Sequence, residues 1–190
     1  MTAKTYLFGS MIALTAGLWG FPSQAVQFRD GTVHFVQPPR LLSASTTQKS
    51  AYAWGATHFF SLEVPANAGE PLQRVTIAPY QAPDSIYYLL RETEAFEGQG
   101  WQGGPLLTIR EATQDPQTQA VTVVFDPPVP PGKMVTIGLR PRENPSIGSV
   151  YLFGITAYPA GEKAQGQFLG YGRIHFYDRD FSFRRFPWFR

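Results

Sequence analysis

The chain has 190 residues and no cysteine, which excludes disulfide staples, thiolate metal centres and lipid attachment at a cysteine. Its formal charge is +2, and with the first 25 residues set aside 15 basic side chains face 14 acidic ones. So even a balance lacks the domain-wide basic surface of a dedicated nucleic-acid binder.

The first segment reads as a leader. Lys4 gives a short basic start, an apolar run follows from Tyr6 to Phe21, and Ser23-Gln24-Ala25 supplies the small residues that a signal peptidase reads. Gly9, Gly17 and Gly20 interrupt the run, which falls short of the roughly 20 apolar residues needed to span a bilayer. The expectation is a signal peptide over 1–25, cut after Ala25, with export by the general secretion route. A β-sandwich domain is then expected over 26–178 and a separate tail over 179–190. Residues 171–190 carry five arginines against two aspartates, and residues 26–170 carry ten positive and twelve negative charges, so a basic tail follows a slightly acidic body.

Proline and glycine punctuate the rest too often for long helices, and the stretches between them alternate with period two. In "TVHFVQ", Val33 and Phe35 share a side. His58, Phe60, Leu62 and Val64 alternate against Phe59, Ser61 and Glu63. Val75 and Ile77 alternate in "PLQRVTIAPY". "SIYYLLRE" is apolar on both sides and reads as a strand covered on both faces. "PLLTIREA" and "QAVTVVFD" flank "TQDPQT", whose Asp115-Pro116 pair predicts a type I turn and a hairpin. "DPPVPPG" reads as a stiff connector ending in a type II turn at Pro131-Gly132. The strands "KMVTIGLRP" and "SVYLFGITAY" follow, separated by a turn at "RENPSIG". "AGEKAQGQFLGYG" reads as a glycine-rich loop before a last strand, "RIHFYD". "SASTTQKSAYAW" is the one candidate helical turn. Eight or nine short strands at this spacing predict an all-β, single-domain β-sandwich, and an immunoglobulin-like topology is the expectation adopted for it.

Several blocks of the chain resemble a family of short secreted cyanobacterial proteins grouped as a domain of unknown function. They are "VQFRDGTVHFVQPPRLLSA", "FSLEVPANAGEPLQRVTI", "ETEAFEG", "VPPGKMVTIGLRPRENPSIGSVYLFGITAYPAG" and "GYGRIHFYD". The resemblance implies an extracytoplasmic home (periplasm, thylakoid lumen or medium) and brings no activity or catalytic residue with it.

The residues nominate no reaction. His34, His58 and His175 each stand alone in an apparent strand, without the close spacing of a metal site, and solvent-facing positions are the plain reading. Glu92, Glu94 and Glu97, and Asp178 with Asp180, lack the spacing of a calcium loop and read as solvated edge charges. "GQGWQGG" matches G-x-G-x-x-G, but a strand follows where a dinucleotide site needs a helix. No G-x-S-x-G is present. No cofactor and no catalytic residue is expected.

Two places read as contact surfaces. Trp101 lies at the centre of the glycine loop, either folded over the core edge or exposed as a contact. The closing "RDFSFRRFPWFR" carries five aromatics and four arginines whose parity shifts at Phe181 and again at Phe186, with Pro187 unable to donate to a ladder. Three readings stand for this tail: packing across an open end of the sandwich, a partner or glycan surface, or an anchor on anionic lipid. Arg184, Arg185, Phe186, Trp188 and Arg190, with Trp101, are the candidate binding residues. The functional expectation is a secreted, non-enzymatic binding or structural protein of the cell envelope, whose partner is an envelope protein or glycan. An envelope hydrolase acting on a glycan or ester is the alternative class, and a peripheral membrane protein held by its tail is a third.

Overall fold

The structure, a computed structural model, describes residues 31–100 and 103–178 together with the backbone of Val26–Gln27. The strands, in chain order, are β1 (Val26–Gln27), β2 (Val33–His34), β3 (Arg40–Thr46), β4 (His58–Glu63), β5 (Leu72–Gln81) and β6 (Glu94–Glu97). They continue as β7 (Ile109–Gln114), β8 (Val121–Val129), β9 (Met134–Leu139), β10 (Val150–Pro159) and β11 (Gln167–His175). Two antiparallel sheets face each other, one of order β3-β4-β9-β6 and one of order β11-β10-β5-β8-β7, and β1 pairs with β2 beside them.

This order is immunoglobulin-like. Taking β3, β4, β5, β6, β9, β10 and β11 as strands A to G gives one sheet of order A-B-E-D and another that runs G-F-C, which is the immunoglobulin arrangement. The β7–β8 hairpin departs from it. It comes between D and E in the chain yet extends the second sheet beyond C, the place that variable-type domains give to strands C′ and C″. The fold is thus an all-β sandwich with an immunoglobulin-like core, as expected.

Strand parity builds the core. Phe60 and Leu62 of β4, Val75 and Ile77 of β5, Val123 and Phe125 of β8, Val135, Ile137 and Leu139 of β9, and Tyr151, Phe153 and Ile155 of β10 are all buried between the sheets. Each such side chain removed from water contributes about 2 kcal/mol. The hairpin turn follows its chemistry. The Asp115 carboxylate accepts from the N–H groups of Gln117 (2.7 Å) and Thr118 (2.8 Å). Gly132 takes φ 83°, as the third residue of a type II turn requires.

Four local expectations are corrected. "SASTTQKSAYAW" forms no helix: its first residues belong to β3, because that strand closes the sheet edge against β4, and the rest is turn and bridge. "SIYYLLRE" is not a strand; it ends in a 3-10 turn at Leu90–Glu92, with Tyr88 in a single bridge to Pro141. "DPPVPPG" is not wholly connector, since β8 runs through a cis Asp126–Pro127 peptide to Val129 and pairs there with Leu72 of β5. The glycine-rich stretch is strand from Gln167 onward, paired along β10. In the first, third and fourth cases long-range pairing overrides local composition; in "SIYYLLRE" the Gln114 side chain takes the Tyr88 N–H and the Ile86 carbonyl that a neighbouring strand would otherwise pair.

The two outer faces differ. Over the four-stranded sheet, the Thr136 hydroxyl donates to the Gly98 carbonyl (2.7 Å) and meets Ser61 Oγ at 2.8 Å, and Ser61 and Thr136 are both buried. Gly138 leaves room for the Phe59 ring, whose Cε1 would stand 3.1 Å from a Cβ there. The segment after β6 therefore roofs this face. The outer face of the five-stranded sheet is more open, with Thr76 and Thr122 at its middle only partly buried.

Candidate functional site

On that open face three aromatic rings gather. Tyr80 of β5 and Tyr171 of β11 have ring centroids 4.5 Å apart, and Phe168 of β11 meets Tyr171 edge-on at 5.1 Å. They are 61%, 48% and 57% exposed, respectively. Contiguous apolar rings left in water mark a contact surface more often than scattered ones do.

Two bulges assemble the cluster. In the β10–β11 ladder Gly170 pairs with Ile155 and Phe168 with Thr156, leaving Leu169 as the extra residue. Phe168 and Tyr171 are three apart and would point to opposite faces of a regular strand; the bulge brings both outward. In the β5–β10 ladder Pro79 pairs with Phe153 and Gln81 with Leu152, so Tyr80 is the extra residue there. Beneath the rings lies Gly154 of β10, paired with Tyr171 on one side and Ala78 on the other, giving the cluster a floor without side chains. Desolvation, with the neighbouring Tyr80 as a smaller cause, raises the Tyr171 hydroxyl above the usual tyrosine range.

Next to this cluster, one row of residues crosses the whole sheet. Phe168 pairs with Thr156, Thr156 with Thr76, Thr76 with Thr122 and Thr122 with Thr113, so four threonines stand side by side on four strands, roughly 4.8 Å apart. The hydroxyls of Thr76 and Thr122 meet at 3.3 Å. One row further on, Arg74 of β5 pairs with Tyr158 of β10 and lays its guanidinium 3.9 Å above that ring. The outer face thus reads, in order along β10, as rings, hydroxyls, then a stacked cation.

A second polar group is buried and closed. His58 Nδ1 lies 3.0 Å from the Tyr88 hydroxyl and Nε2 lies 3.1 Å from Asn144 Oδ1. Asn144 Nδ2 donates to the carbonyls of Gln48 (2.9 Å) and Ser50 (3.0 Å), so its Oδ1 must accept. Nε2 of His58 therefore carries the proton, and Nδ1 accepts from Tyr88. Burial holds His58 down to about 4, against the opposing pull of Asn144. The sequence expectation that the histidines face solvent fails for His58, whose parity with Phe60 and Leu62 places it in the core. A neutral imidazole with both nitrogens satisfied and no access to solvent joins β4 to the Asn144 turn and presents no proton to a substrate.

A recess of about 210 Å³ opens between Ile77, Pro79, Tyr80, Ile86, Tyr88 and Phe153. The Asp84 carboxylate at its edge accepts from Ser146 N–H (2.8 Å), Ser146 Oγ–H (2.7 Å) and Ser85 N–H (2.8 Å). Those bonds, the Ser146 backbone N–H first, hold it below the usual aspartate range. Of the acidic clusters, Glu92 pairs with Arg140 (2.7 Å), Glu97 pairs with Lys133 (2.9 Å), and Asp178 accepts from the Gly148 N–H (2.7 Å). Among the described residues no group of three His, Asp or Glu side chains could hold a metal ion. Among them, too, no helix is long and apolar enough to cross a membrane.

The sequence nominees Trp101, Arg184, Arg185, Phe186, Trp188 and Arg190 all lie outside the described residues. Tyr80, Phe168 and Tyr171 were not nominated. The signal for the last two was present in "GQFLGYG", where glycines flank two aromatics, but their odd spacing hides a shared face until the bulge is known.

Residues 32–176 match the family model described as "Protein of unknown function (DUF2808)". The chain belongs to the DUF2808 family. The matched span of this DUF2808 chain takes in β2 to β11 and every residue of the open face described above. No curated protein matches it in sequence. Among solved structures, it is similar to the collagen-binding domain of a Staphylococcus aureus adhesin at 8% identity, covering 70% of this chain and 97% of that one, with a TM-score of 0.37. An uncharacterized Nocardia farcinica protein with an immunoglobulin-like fold is similar at 13% identity, 72% and 97% coverage and a TM-score of 0.43. The C-terminal domain of the Streptococcus agalactiae antigen I/II polypeptide BspA is similar at 14% identity and a TM-score of 0.42, over 72% of this chain and 50% of that one.

Proposed function

We propose that this protein is a non-enzymatic binding domain of the cell envelope, exported across the membrane by its first 25 residues, that holds an envelope component on the outer face of its five-stranded sheet. The observation that carries this reading is the cluster of Tyr80, Phe168 and Tyr171 over Gly154, three exposed rings brought together by two bulges. Bulges are positioned features that re-aim side chains, and here they aim apolar rings into water at a cost that a bound partner would offset. Support for export comes from Lys4, the apolar run and Ser23-Gln24-Ala25, and a chain without cysteine is indifferent to an oxidising compartment.

Sedimentation with isolated envelope fragments tests the reading. The protein pellets with the fragments, and the double variant Phe168→Ala, Tyr171→Ala stays in the supernatant while keeping its melting temperature. Equal pelleting of both proteins would overturn it.

A further inference from the structure

We propose that the ligand of this face is a carboxylate-bearing polysaccharide, its sugar rings lying on Tyr80, Phe168 and Tyr171 and its carboxylates on Arg74 and Arg110. The inference rests on the reading of the open face as the binding surface and names the ligand class for it.

Arg74 carries the argument. Its guanidinium is fixed above the Tyr158 ring at 3.9 Å, yet its Nε is buried with no hydrogen-bond partner among the described residues. A buried donor left unpaired is costly, and a charged one more so. The ion pairs among the described residues are Arg40–Glu63, Lys133–Glu97 and Arg140–Glu92, so neither Arg74 nor Arg110 has an acid of its own. Both line one recess of about 180 Å³ with Gln73, Tyr158 and Glu162, and Glu162 pairs with neither. With its carbon 3.9 Å over the ring, the Arg74 guanidinium keeps its terminal N–H groups for a ligand, and such a fork meets a planar carboxylate with two parallel hydrogen bonds.

The distance between the two ends of the face fits a chain ligand. Gly154, under the rings, and Tyr158, under Arg74, are four residues apart on β10, roughly 13 Å at about 3.3 Å per residue. Between them lies the row of Thr156, Thr76 and Thr122, whose hydroxyls suit sugar hydroxyls. An extended polymer can stack at one end and place an acid at the other. A protein partner is less well served, because interface cores need a continuous apolar patch and the apolar part here is confined to three rings.

Affinity electrophoresis in gels containing polygalacturonate, dextran sulfate or neutral dextran tests this. Polygalacturonate retards the protein strongly, dextran sulfate weakly and dextran hardly at all, and added salt reduces the retardation. Arg74→Ala and Arg110→Ala each weaken it about tenfold, as loss of one charge-assisted contact would, and Arg74→Lys does not restore it. Arg110 is exposed on β7, so its replacement keeps the test open if Arg74→Ala disturbs the Tyr158 packing. Equal retardation by dextran sulfate and polygalacturonate, no retardation at all, or retardation untouched in both alanine variants would overturn the assignment. If polygalacturonate fails while pelleting with envelope fragments still depends on Phe168 and Tyr171, the ligand class falls and the binding surface stands.

Discussion

Gly154 sits directly across the β10–β11 ladder from Tyr171, and a Cβ in its place would stand 3.6 Å from Cε1 of that ring and 3.3 Å from Cε2 of Phe168. The bare backbone at this position lets two rings lie low on the sheet while their outer faces stay open. Gly154→Leu should therefore lift both rings without altering either. Its φ lies outside the left-handed region, and glycine within a strand is itself weakening, so the variant should melt at or above the parent temperature. Its retention by envelope fragments should fall about tenfold, the effect of losing one good stacked contact. Unchanged retention would mean that the rings are not the contact.

His58 gives the fold a pH dependence of known sign. The folded pKa, about 4, lies below the ordinary value of 6.5, so the unfolded chain binds the proton more readily between these two values. The contribution is present in full above pH 6.5, falls as pH drops through that window, and is lost below pH 4, a total of about 3 kcal/mol. Urea unfolding at pH 7.5 and pH 4.5 should show this loss, and His58→Gln, which cannot take up a proton, should flatten it. An equal loss in His58→Gln would assign the pH dependence to other groups.

Two conservative changes, one inside this network and one outside it, should differ in cost. Tyr88→Phe removes the donor to Nδ1 and leaves a buried acceptor unpaired, which costs about 1–3 kcal/mol. Ser85→Ala removes an exposed side chain for which no hydrogen bond beyond its own backbone N–H is found, and urea midpoints should show almost no change.

Gly172 of β11 faces Ala44 of β3, where the two sheets come together at one edge, and a Cβ on Gly172 would stand 2.7 Å from that of Ala44. Gly172→Ala should therefore destabilise by about 1–3 kcal/mol through overpacking. Ala44→Gly in the same chain should recover most of that loss. Failure of the double variant to recover would show that the edge contact is looser than this geometry.

Much of the architecture is legible in the residues. The alternation of Phe60 and Leu62, of Val123 and Phe125, and of Tyr151, Phe153 and Ile155 identifies strands and their inward faces, because period two is a direct consequence of the pleat. What stays hidden depends on pairing. The first part of β11, from Gln167 to Gly172, looks like loop, since Gly166 just before it and Gly170 and Gly172 within it depress strand propensity. Two of these are explained only by neighbours: the Tyr158 ring, 2.5 Å from a Cβ at Gly166, and Ala44 beside Gly172. The candidate site is harder still to read. Tyr80, Phe168 and Tyr171 meet through an extra residue in each of two ladders, and a bulge leaves no mark on hydrophobic periodicity beyond a break in phase. His58 was readable as buried from its parity, but its partners Tyr88 and Asn144 lie 30 and 86 residues away.

Hydroxyl-radical footprinting of the protein bound to isolated envelope fragments addresses the open face most directly, because aromatic side chains are themselves the reporters. Tyr80, Phe168 and Tyr171 should lose reactivity on binding, while Trp54, 76% exposed on the β3–β4 connection, keeps its own. Protection of Trp54 with the three rings left as reactive as in the free protein would contradict the assignment of the outer face of the five-stranded sheet as the binding surface.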